Sequence, residues 1–227
     1  MTSAKEKYTK EITKFYWENG YNPEQTQMER LAFFACLLMH KNQLLNLVSR
    51  KQTDSIIENH VFISSYITKY IPEKCERFLD IGTGGGLPGI PIAVMRPDMR
   101  GVLVDSIKKK IDAVQDFIDT LMLNNVKAEN YRVESPEFIE KYKNSFDLVV
   151  SRATEPLIVL LRYALPLIKE KAYMMAIKGG DLTDEFQKAE LKYKTHIKKS
   201  TVFDLHYKPT NIRNAKDKKL VLLELTK

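Results

Sequence analysis

The sequence predicts an α/β protein built on a mostly parallel seven-stranded sheet, and three observations carry this prediction. From residue 76 onward, short apolar runs alternate with amphipathic helical patterns, which is typical of a parallel sheet covered by helices on both faces. A glycine-rich turn directly follows the first of these apolar runs. After residue 195 the helical patterns stop, and the last two apolar runs are predicted to form a C-terminal antiparallel hairpin.

The first 72 residues are predicted to form an N-terminal helical extension. Asn22-Pro23 has the form of a cap followed by proline at the first helical position, and apolar residues then recur at helical spacing, at Leu31, Phe34, Ala35, Leu38 and Leu45. A second helical segment is predicted to begin at Asp54 and to end before Pro72, with one face made of Ile57, Val61, Ser64 and Ile67. We therefore divide the chain into this extension, residues 1–72, and an α/β domain, residues 73–227.

Alternating strands and helices are predicted along the α/β domain. Five strands are expected before the hairpin, at residues 77–81, 101–105, 126–131, 146–151 and 172–177. The expected helices are residues 87–95, 108–123, 136–143, 155–168 and 181–192. The hairpin strands are expected at 197–205 and 220–225, joined by a basic loop at 208–219. Because ligands of such sheets bind at the carboxyl ends of the strands, the residues that end each strand are the candidates for function.

Composition argues against several classes of protein. The chain has 227 residues and 44% hydrophobic content, which suffices for one sizeable core. Its longest apolar run, residues 31–39, is too short to span a bilayer, and the N-terminus lacks the apolar segment of a signal peptide. Cys36 and Cys75 show neither CxxC spacing nor neighbouring histidines, so no disulfide framework or metal site is indicated. We expect a cytoplasmic protein that contacts no membrane and binds no metal, with a monomer as the favoured state.

The positive charge of the chain is concentrated near its C-terminus. The chain has 36 Lys and Arg against 29 Asp and Glu, a net charge of +7. Residues 188–219 contain ten basic and three acidic side chains, which is again +7, so the remainder of the chain is neutral. A basic segment beside a cofactor-binding fold favours a polyanionic partner, most simply nucleic acid. The alternative is a solvated lysine-rich face.

The glycine-rich turn is the most informative motif. Asp80 lies near the end of the first strand, and five glycines follow at positions 82, 84, 85, 86 and 89. Glycine permits positive φ and a close approach of the backbone to a ligand, while a helix that begins near Leu87 directs free N–H groups toward it. In the dinucleotide-binding fingerprint the first glycine directly follows the strand, whereas here Asp80 and Gly82 come first. The pattern Asp-x-Gly-x-Gly-x-Gly resembles the first motif of S-adenosylmethionine (SAM) dependent methyltransferases, and this resemblance implies their Rossmann-like fold.

Three further strand ends hold polar residues. Asp105 ends the second strand, where it can accept hydrogen bonds from both ribose hydroxyls of a nucleoside, and capping of a loop is the alternative. The third strand ends in Arg132-Val133-Glu134 and the fourth in Ser151-Arg152-Ala153. The fourth strand lacks the Asn/Asp-Pro-Pro-Tyr/Phe motif of many amino-methylating enzymes. No cysteine follows the glycine turn, which argues against covalent attack on a pyrimidine ring.

Together these residues resemble the RsmG (GidB) family of bacterial small-subunit (16S) rRNA guanine-N7 methyltransferases. The most distinctive part is Leu-Pro-Gly-Ile-Pro at residues 87–91, and further matches lie at Lys41, Asn42, Asn46, Leu47, His60, Lys178 and Gly179. Three positions depart from the family pattern: Val48 replaces a frequent Thr, Ile63 replaces an Asp, and Lys218 or Lys219 stands where the family often has Arg. The resemblance implies that the cofactor is SAM, that its product is S-adenosylhomocysteine, and that the substrate is small-subunit rRNA or a ribosomal particle.

The resemblance also implies roles for individual residues. The expected cofactor-binding residues are Asp80, Gly82, Thr83, Gly84, Gly86, Leu87, Asp105, Ser106, Val133, Glu134 and Arg152. Arg152, with Arg132 near it, is the candidate for holding the target nucleotide. An ion pair of Arg152 with Asp147 or Glu155 is the alternative. Glu134 is placed near the adenine amino group and Lys178 near a substrate phosphate.

The chemistry of guanine N7 fits this set of residues. N7 carries an aromatic lone pair and no proton, so in-line displacement at the sulfonium methyl needs alignment and desolvation but no general base. Two other functions stay open: a SAM-dependent methyltransferase that acts on a small molecule or a protein, and a catalytically inactive RNA-binding relative.

Overall fold

A seven-stranded sheet runs through the centre of the molecule, in a computed structural model that describes residues 2–49, 55–152, 154–208 and 218–227. The strands are β1 Arg77–Ile81, β2 Arg100–Asp105, β3 Val126–Asn130, β4 Phe146–Arg152, β5 Ile168–Gly179, β6 Ile197–Asp204 and β7 Lys218–Thr226. Their order is β3-β2-β1-β4-β5-β7-β6, and β7 runs antiparallel to the other six strands. This arrangement confirms the predicted fold class, including the C-terminal hairpin. The strand order reverses between β1 and β4, where such sheets bind ligands.

Helices cover both faces of this sheet. They are α1 Thr2–Glu18, α2 Gln25–Asn42, α3 Ile63–Tyr66, α4 Gly89–Met95, α5 Lys108–Thr120, α6 Pro136–Tyr142, α7 Leu157–Ala164 and α8 Thr183–Tyr193. A π-helical turn, Ile57–Phe62, precedes α3, and a 3₁₀ turn, Ile67–Tyr70, follows it. Helices α1 to α5 share a core with one face of the sheet, while α6, α7 and α8 cover the other face. Successive strand residues point to opposite faces, so each central strand contributes to both cores.

The N-terminal helices belong to the larger of these two cores. The Tyr16 hydroxyl donates a hydrogen bond to Ser65 Oγ (2.7 Å), which joins α1 to the end of α3. Phe34 of α2 is fully buried and packs edge-to-face on Phe117 of α5, with 5.8 Å between ring centroids. The division of the chain at residue 72 stays a prediction, because the extension and the sheet are packed around one continuous core.

Several boundaries differ from the predicted ones. Helix α2 is capped by Glu24, which forms a capping box with Gln27, so the prediction that Pro23 occupies the first helical position is wrong. Leu45 lies beyond the end of α2. The helix predicted at 155–168 ends at Ala164, because Ile168 is fully buried as the first residue of β5 and pairs with Phe146. The predicted start at Asp54, Ala153, and residues 209–217 of the basic loop lie outside the described residues.

Neither a membrane span nor a metal centre is found in the part of the chain that the structure describes. Within it, no helix combines the length and apolarity needed to cross a bilayer. No cluster of His, Cys, Asp and Glu within the same residues has an arrangement that could hold a metal ion. Both cysteines are buried free thiols.

Phe34→Ala is expected to lower the free energy of unfolding by about 3–5 kcal/mol, because it leaves a cavity where the extension meets α5. Amide hydrogen exchange in urea, read by mass spectrometry, follows peptides of the extension and peptides of the sheet separately. Both sets of amides should lose protection at the same urea concentration in the wild type and in the variant. Leu44→Ala, at a side chain that is 78% exposed, serves as the control, with a change below about 0.5 kcal/mol. Two separate transitions would contradict a shared core.

Candidate cofactor and substrate site

One cavity of about 600 Å³ lies at the carboxyl ends of the central strands. The glycine turn after β1 forms one wall through residues 81–85, and Asp105, Ser106 and residues 131–134 continue it along β2 and β3. The opposite side is made by residues 47–49, His60, Arg152 and residues 154–155. The cavity therefore brings the predicted strand ends together with part of the N-terminal extension.

The backbone of the turn requires glycine at several positions. Gly82, Gly84 and Gly86 have φ values of +68°, +57° and +85°, which residues with a side chain rarely adopt. A Cβ at Gly82 would lie 2.6 Å from Cγ2 of Thr154, and one at Gly86 would lie 2.5 Å from Cδ1 of Ile90. Residues 82–85 thus present bare backbone to the cavity, as a nucleoside that approaches this closely would need. Gly86 does not line the cavity but permits the turn to pack on α4.

Asp80 holds the turn from below. Its side chain is fully buried, and Oδ2 accepts hydrogen bonds from Thr83 Oγ1 (2.7 Å) and from the backbone N–H of Gly89 (2.9 Å). Helix α4 begins at Gly89 and not at Leu87 as predicted, because the N–H groups of Gly86 and Leu87 both donate to Thr83 O within the turn (2.9 Å each). Asp80 does not line the cavity, so its predicted contact with the cofactor stays a prediction.

Burial dominates the ionisation of Asp80. It raises the pKa of this carboxyl to about 7, although the hydrogen bonds from Thr83 and Gly89 favour the charged form. The carboxyl therefore changes its charge near neutral pH. Its Oδ1 lies beneath the turn without a hydrogen-bond partner among the described residues.

Asp105 connects the ends of β1 and β2 and reaches the cavity. Its Oδ2 accepts a hydrogen bond from the N–H of Gly84 (3.0 Å), and its Oδ1 accepts one from the N–H of Ile107 (2.9 Å). Each carboxylate oxygen has a second lone pair, so the side chain can still accept two hydroxyl groups. This arrangement suits a ribose, and the exposed Ser106 lies beside it on the cavity wall.

The segment after β3 offers a surface for a flat base. Val133 is buried and lines the cavity, while Arg132 and Glu134 on either side of it are exposed at the rim and lie 3.8 Å apart. An apolar side chain beside a carboxylate can pack on a purine and accept from its amino group. Glu134 lines the cavity, and its predicted contact with adenine stays a prediction.

Arg152 holds the opposite side of the cavity in place. Its Nη1 donates to His60 O (3.2 Å) and Ser64 Oγ (3.0 Å), and its Nη2 donates to Asn59 O (2.6 Å). Among the described residues no carboxylate forms an ion pair with it, so the alternative of a pair with Asp147 or Glu155 is wrong. Burial lowers the pKa of Arg152 to about 10, which leaves the guanidinium charged at neutral pH.

Sequence reasoning missed the wall that the N-terminal extension contributes. Asn42 Oδ1 accepts hydrogen bonds from the N–H groups of Leu47 (2.8 Å) and Val48 (2.9 Å) and so folds this segment back against the cavity. A Cβ at Gly85 would lie 3.0 Å from Cδ1 of Leu38 and 3.1 Å from Cβ of Leu47, which shows how closely the extension packs on the turn. Asn42 and Leu47, which match the family pattern, were the sequence features that could have indicated this part of the cavity.

Two lysines near the site are held by neighbouring groups. Lys178 forms an ion pair with Glu185 (2.7 Å) and donates to the backbone oxygen of Glu155, and it does not line the cavity. Its predicted contact with a substrate phosphate therefore stays a prediction. Lys218 donates to Asn59 Oδ1 (2.8 Å), and burial lowers its pKa to about 8.

Comparisons with known proteins agree with this geometry. A family model described as rRNA small subunit methyltransferase G matches residues 27–214. Ribosomal RNA small subunit methyltransferase G of Chlorobium luteolum is 41% identical over 171 residues, which are 75% of this chain and 70% of that protein. The protein of the same name from Chlorobaculum tepidum is 39% identical over 181 residues, 79% of this chain and 81% of the relative.

Solved structures with low sequence identity share the fold. An O-methyltransferase from Bacillus cereus in complex with SAH has a TM-score of 0.60 at 17% identity and covers 98% of this chain and 100% of its own. The O-methyltransferase TomG from Streptomyces achromogenes in complex with SAM has a TM-score of 0.59 at 15% identity and covers 98% and 99%.

Asp105→Ala is expected to weaken binding of the predicted cofactor SAM by about 1.5–3 kcal/mol, because charge-assisted hydrogen bonds to the ribose are lost. Isothermal titration calorimetry measures this directly. Asp112→Ala removes an exposed carboxylate of α5 that pairs with Lys108 and should leave the affinity unchanged. Equal affinities for Asp105→Ala and the wild type would place the ribose elsewhere.

Asp80 makes the stability of the protein depend on pH. Because its pKa is raised from 3.8 to about 7 in the folded state, the folded chain keeps a proton that the unfolded chain releases, and stability falls as pH rises between these values. Asp80→Asn cannot ionise, so its free energy of unfolding relative to the wild type should rise from pH 4 to pH 7 in urea titrations. Leu191→Ala, at a side chain that is 83% exposed and cannot ionise, should show a constant difference. A constant difference for Asp80→Asn would show that this carboxyl is charged throughout.

Proposed function

This chain belongs to the rRNA small subunit methyltransferase G family, and we propose that it methylates N7 of one guanosine in small-subunit (16S) rRNA. Its cofactor is S-adenosylmethionine, which when bound supplies a methyl group made electrophilic by the sulfonium and leaves as S-adenosylhomocysteine. The observation that carries the proposal is the cavity at the carboxyl ends of β1 to β4, which is lined by the glycine turn and by the half-buried Arg152.

Residues on the β1, β2 and β3 side of the cavity would hold the cofactor. The bare backbone of residues 82–85 accepts a nucleoside at close range, since neighbouring atoms leave no room for a side chain at Gly82. Asp105 would accept from the ribose hydroxyls with Ser106 beside it, and Val133 and Glu134 would contact the adenine. Thr83 and Leu87 shape the turn, and Asp80 holds it from beneath.

The opposite side would receive the target nucleotide. Arg132 is exposed at the rim, where it can contact a phosphate. The Arg152 guanidinium donates hydrogen bonds to the backbone oxygens of Asn59 and His60. Its part in the reaction is therefore to fix the position of the turn that carries His60, on the side of the cavity that would receive the substrate. The basic segment 188–219 supports an RNA substrate through its charge of +7.

Methyl transfer to N7 then requires positioning and exclusion of water. The guanine lone pair attacks without loss of a proton, so the protein needs no general base. His60 supports this view, because burial beside Arg152 lowers its pKa to about 3, too low for a base that takes up a proton near neutral pH. Leu47, Val48 and Ile81 line the cavity with apolar surface that favours desolvation of the reacting atoms.

The test is to incubate the protein and labelled SAM with small-subunit particles, and separately with deproteinised 16S rRNA, from a strain that lacks the gene. Borohydride reduction and aniline cleavage, which break RNA at 7-methylguanosine, then locate the product. We expect one labelled guanosine. Arg152→Ala should bind SAM normally but transfer methyl at least about tenfold more slowly, because it loses hydrogen bonds that shape the substrate wall. Arg100→Ala, exposed at the opposite end of β2, should match the wild type.

Two results would contradict the proposal. Label that enters a protein or small-molecule fraction and not the RNA would assign another acceptor. A folded protein that binds SAM but labels neither RNA preparation would remove the support for rRNA methylation.

A further inference from the structure

His60 combines burial, a place on the cavity wall and an unpartnered polar atom. The residue is 5% exposed and lines the cavity on the side opposite the glycine turn. Its Nε2 has no hydrogen-bond partner among the described residues. The other buried unpartnered atom found in those residues is Asp80 Oδ1, which lies beneath the turn and not on the cavity wall. A polar atom is costly to bury alone, so an unpartnered one at a binding cavity indicates a group that a ligand completes.

The neighbouring guanidinium decides which nitrogen of His60 carries the proton. Arg152 Nη2 lies 3.0 Å from His60 Nδ1, and a guanidinium can only donate. Nδ1 is therefore the acceptor, and the proton of the neutral ring is on Nε2. Burial and the charges of Arg152 and Lys218 oppose a second proton on this ring. The carboxylate of Glu58, on the same turn, accepts a hydrogen bond from the Tyr207 hydroxyl. The side chain is thus a neutral donor whose Nε2–H is buried and makes no hydrogen bond within the described residues.

Hydrogen bonds from Arg152 and Lys218 fix the position of the turn that carries His60. Residues 57–62 form a π-helical turn, an irregularity that often occurs at functional sites. Arg152 binds the backbone oxygens of Asn59 and His60 together with the His60 ring, and Lys218 binds the Asn59 side chain. Both the backbone oxygen and the ring Nδ1 of His60 are therefore held by Arg152, whereas Nε2 is left without a partner among the described residues.

A neutral donor suits the chemistry of N7 methylation better than a cation does. The guanine becomes positively charged as the methyl group is transferred, and a guanidinium against the same edge would oppose that charge. A neutral N–H can recognise O6, which lies next to N7 on this edge, without the repulsion. Adenine carries an amino group at the equivalent position, so it would leave Nε2–H without an acceptor.

We infer that the Nε2–H group of His60 donates a hydrogen bond to O6 of the guanine that is methylated, and that Arg152 is a positioning residue that holds the ring in this tautomer. This inference rests on the proposed function and adds to it the means of base selection. It predicts that the enzyme discriminates guanine from adenine through a donor on the N-terminal extension, a part of the chain outside the sheet.

Two variants and one modified substrate test the inference. His60→Leu removes the donor, and His60→Gln keeps an amide that can both accept from Arg152 and donate into the cavity. On guanine-containing substrate, kcat/KM of His60→Leu should fall at least about tenfold with SAM affinity unchanged, and His60→Gln should recover part of the loss. The exposed His40→Gln is the matched control and should equal the wild type.

Replacement of the target guanine by 6-thioguanine weakens the acceptor while N7 is retained. The wild type should lose rate on this substrate, whereas His60→Leu should lose no more than it has already lost. If 6-thioguanine slowed His60→Leu by the same factor as it slows the wild type, the inference would be overturned and the proposed function would stand. A His60→Leu variant as active as the wild type would have the same meaning. A wild type that methylates no guanine N7 would instead overturn the proposed function and the inference with it.

Loss of SAM binding would reveal that His60→Leu fails to fold. In that case a measurement on the wild type tests the inference. Nitrogen-15 NMR of the histidine rings at pH 7 should show His60 as the neutral Nε2–H tautomer. A protonated ring or the Nδ1–H tautomer would overturn the inference irrespective of the variants.

Discussion

The site depends on the buried carboxyl of Asp80, which fixes the glycine turn to the first strand. Its Oδ2 joins Thr83 to the first N–H of α4, and the positive φ angles of the turn are compatible with this arrangement only because glycine occupies three positions. Asp105 ties the same turn to β2 through Gly84 N–H. The backbone that we propose to meet the cofactor is thus fixed by two carboxyl side chains, one beneath the turn and one beside it.

The N-terminal extension completes the cavity from the other side. Asn42 folds residues 47–48 against the turn, and Arg152 draws the π-helical turn of residues 57–62 toward the end of β4. Because the extension shares one core with a face of the sheet, the part of the cavity that the extension lines is packed against the same core as the glycine turn. The proposed catalysis by positioning requires such rigidity, since the protein would contribute alignment and desolvation without a proton transfer.

Local sequence patterns predicted the sheet and the strand ends that meet at the cavity, but not the part of the cavity that the N-terminal extension lines. Strand ends at Asp80, Asp105 and Val133 could be placed together because parallel strands end at one edge. The partners of Arg152 could not be predicted, since His60 lies 92 residues away in the chain and meets it only through tertiary packing. The start of α2 at Gln25 and of β5 at Ile168 also escaped prediction, because a capping box and a buried strand pairing outweighed the proline and the apolar helical pattern.

A crystal structure of the protein with S-adenosylhomocysteine tests the central claim most directly. The account predicts the ribose within hydrogen-bonding distance of Asp105, the amino-acid end over residues 82–85, and the adenine on Val133. Space beside His60 should remain open for a purine. A ligand bound away from the glycine turn, or one that fills the space beside His60, would contradict the account.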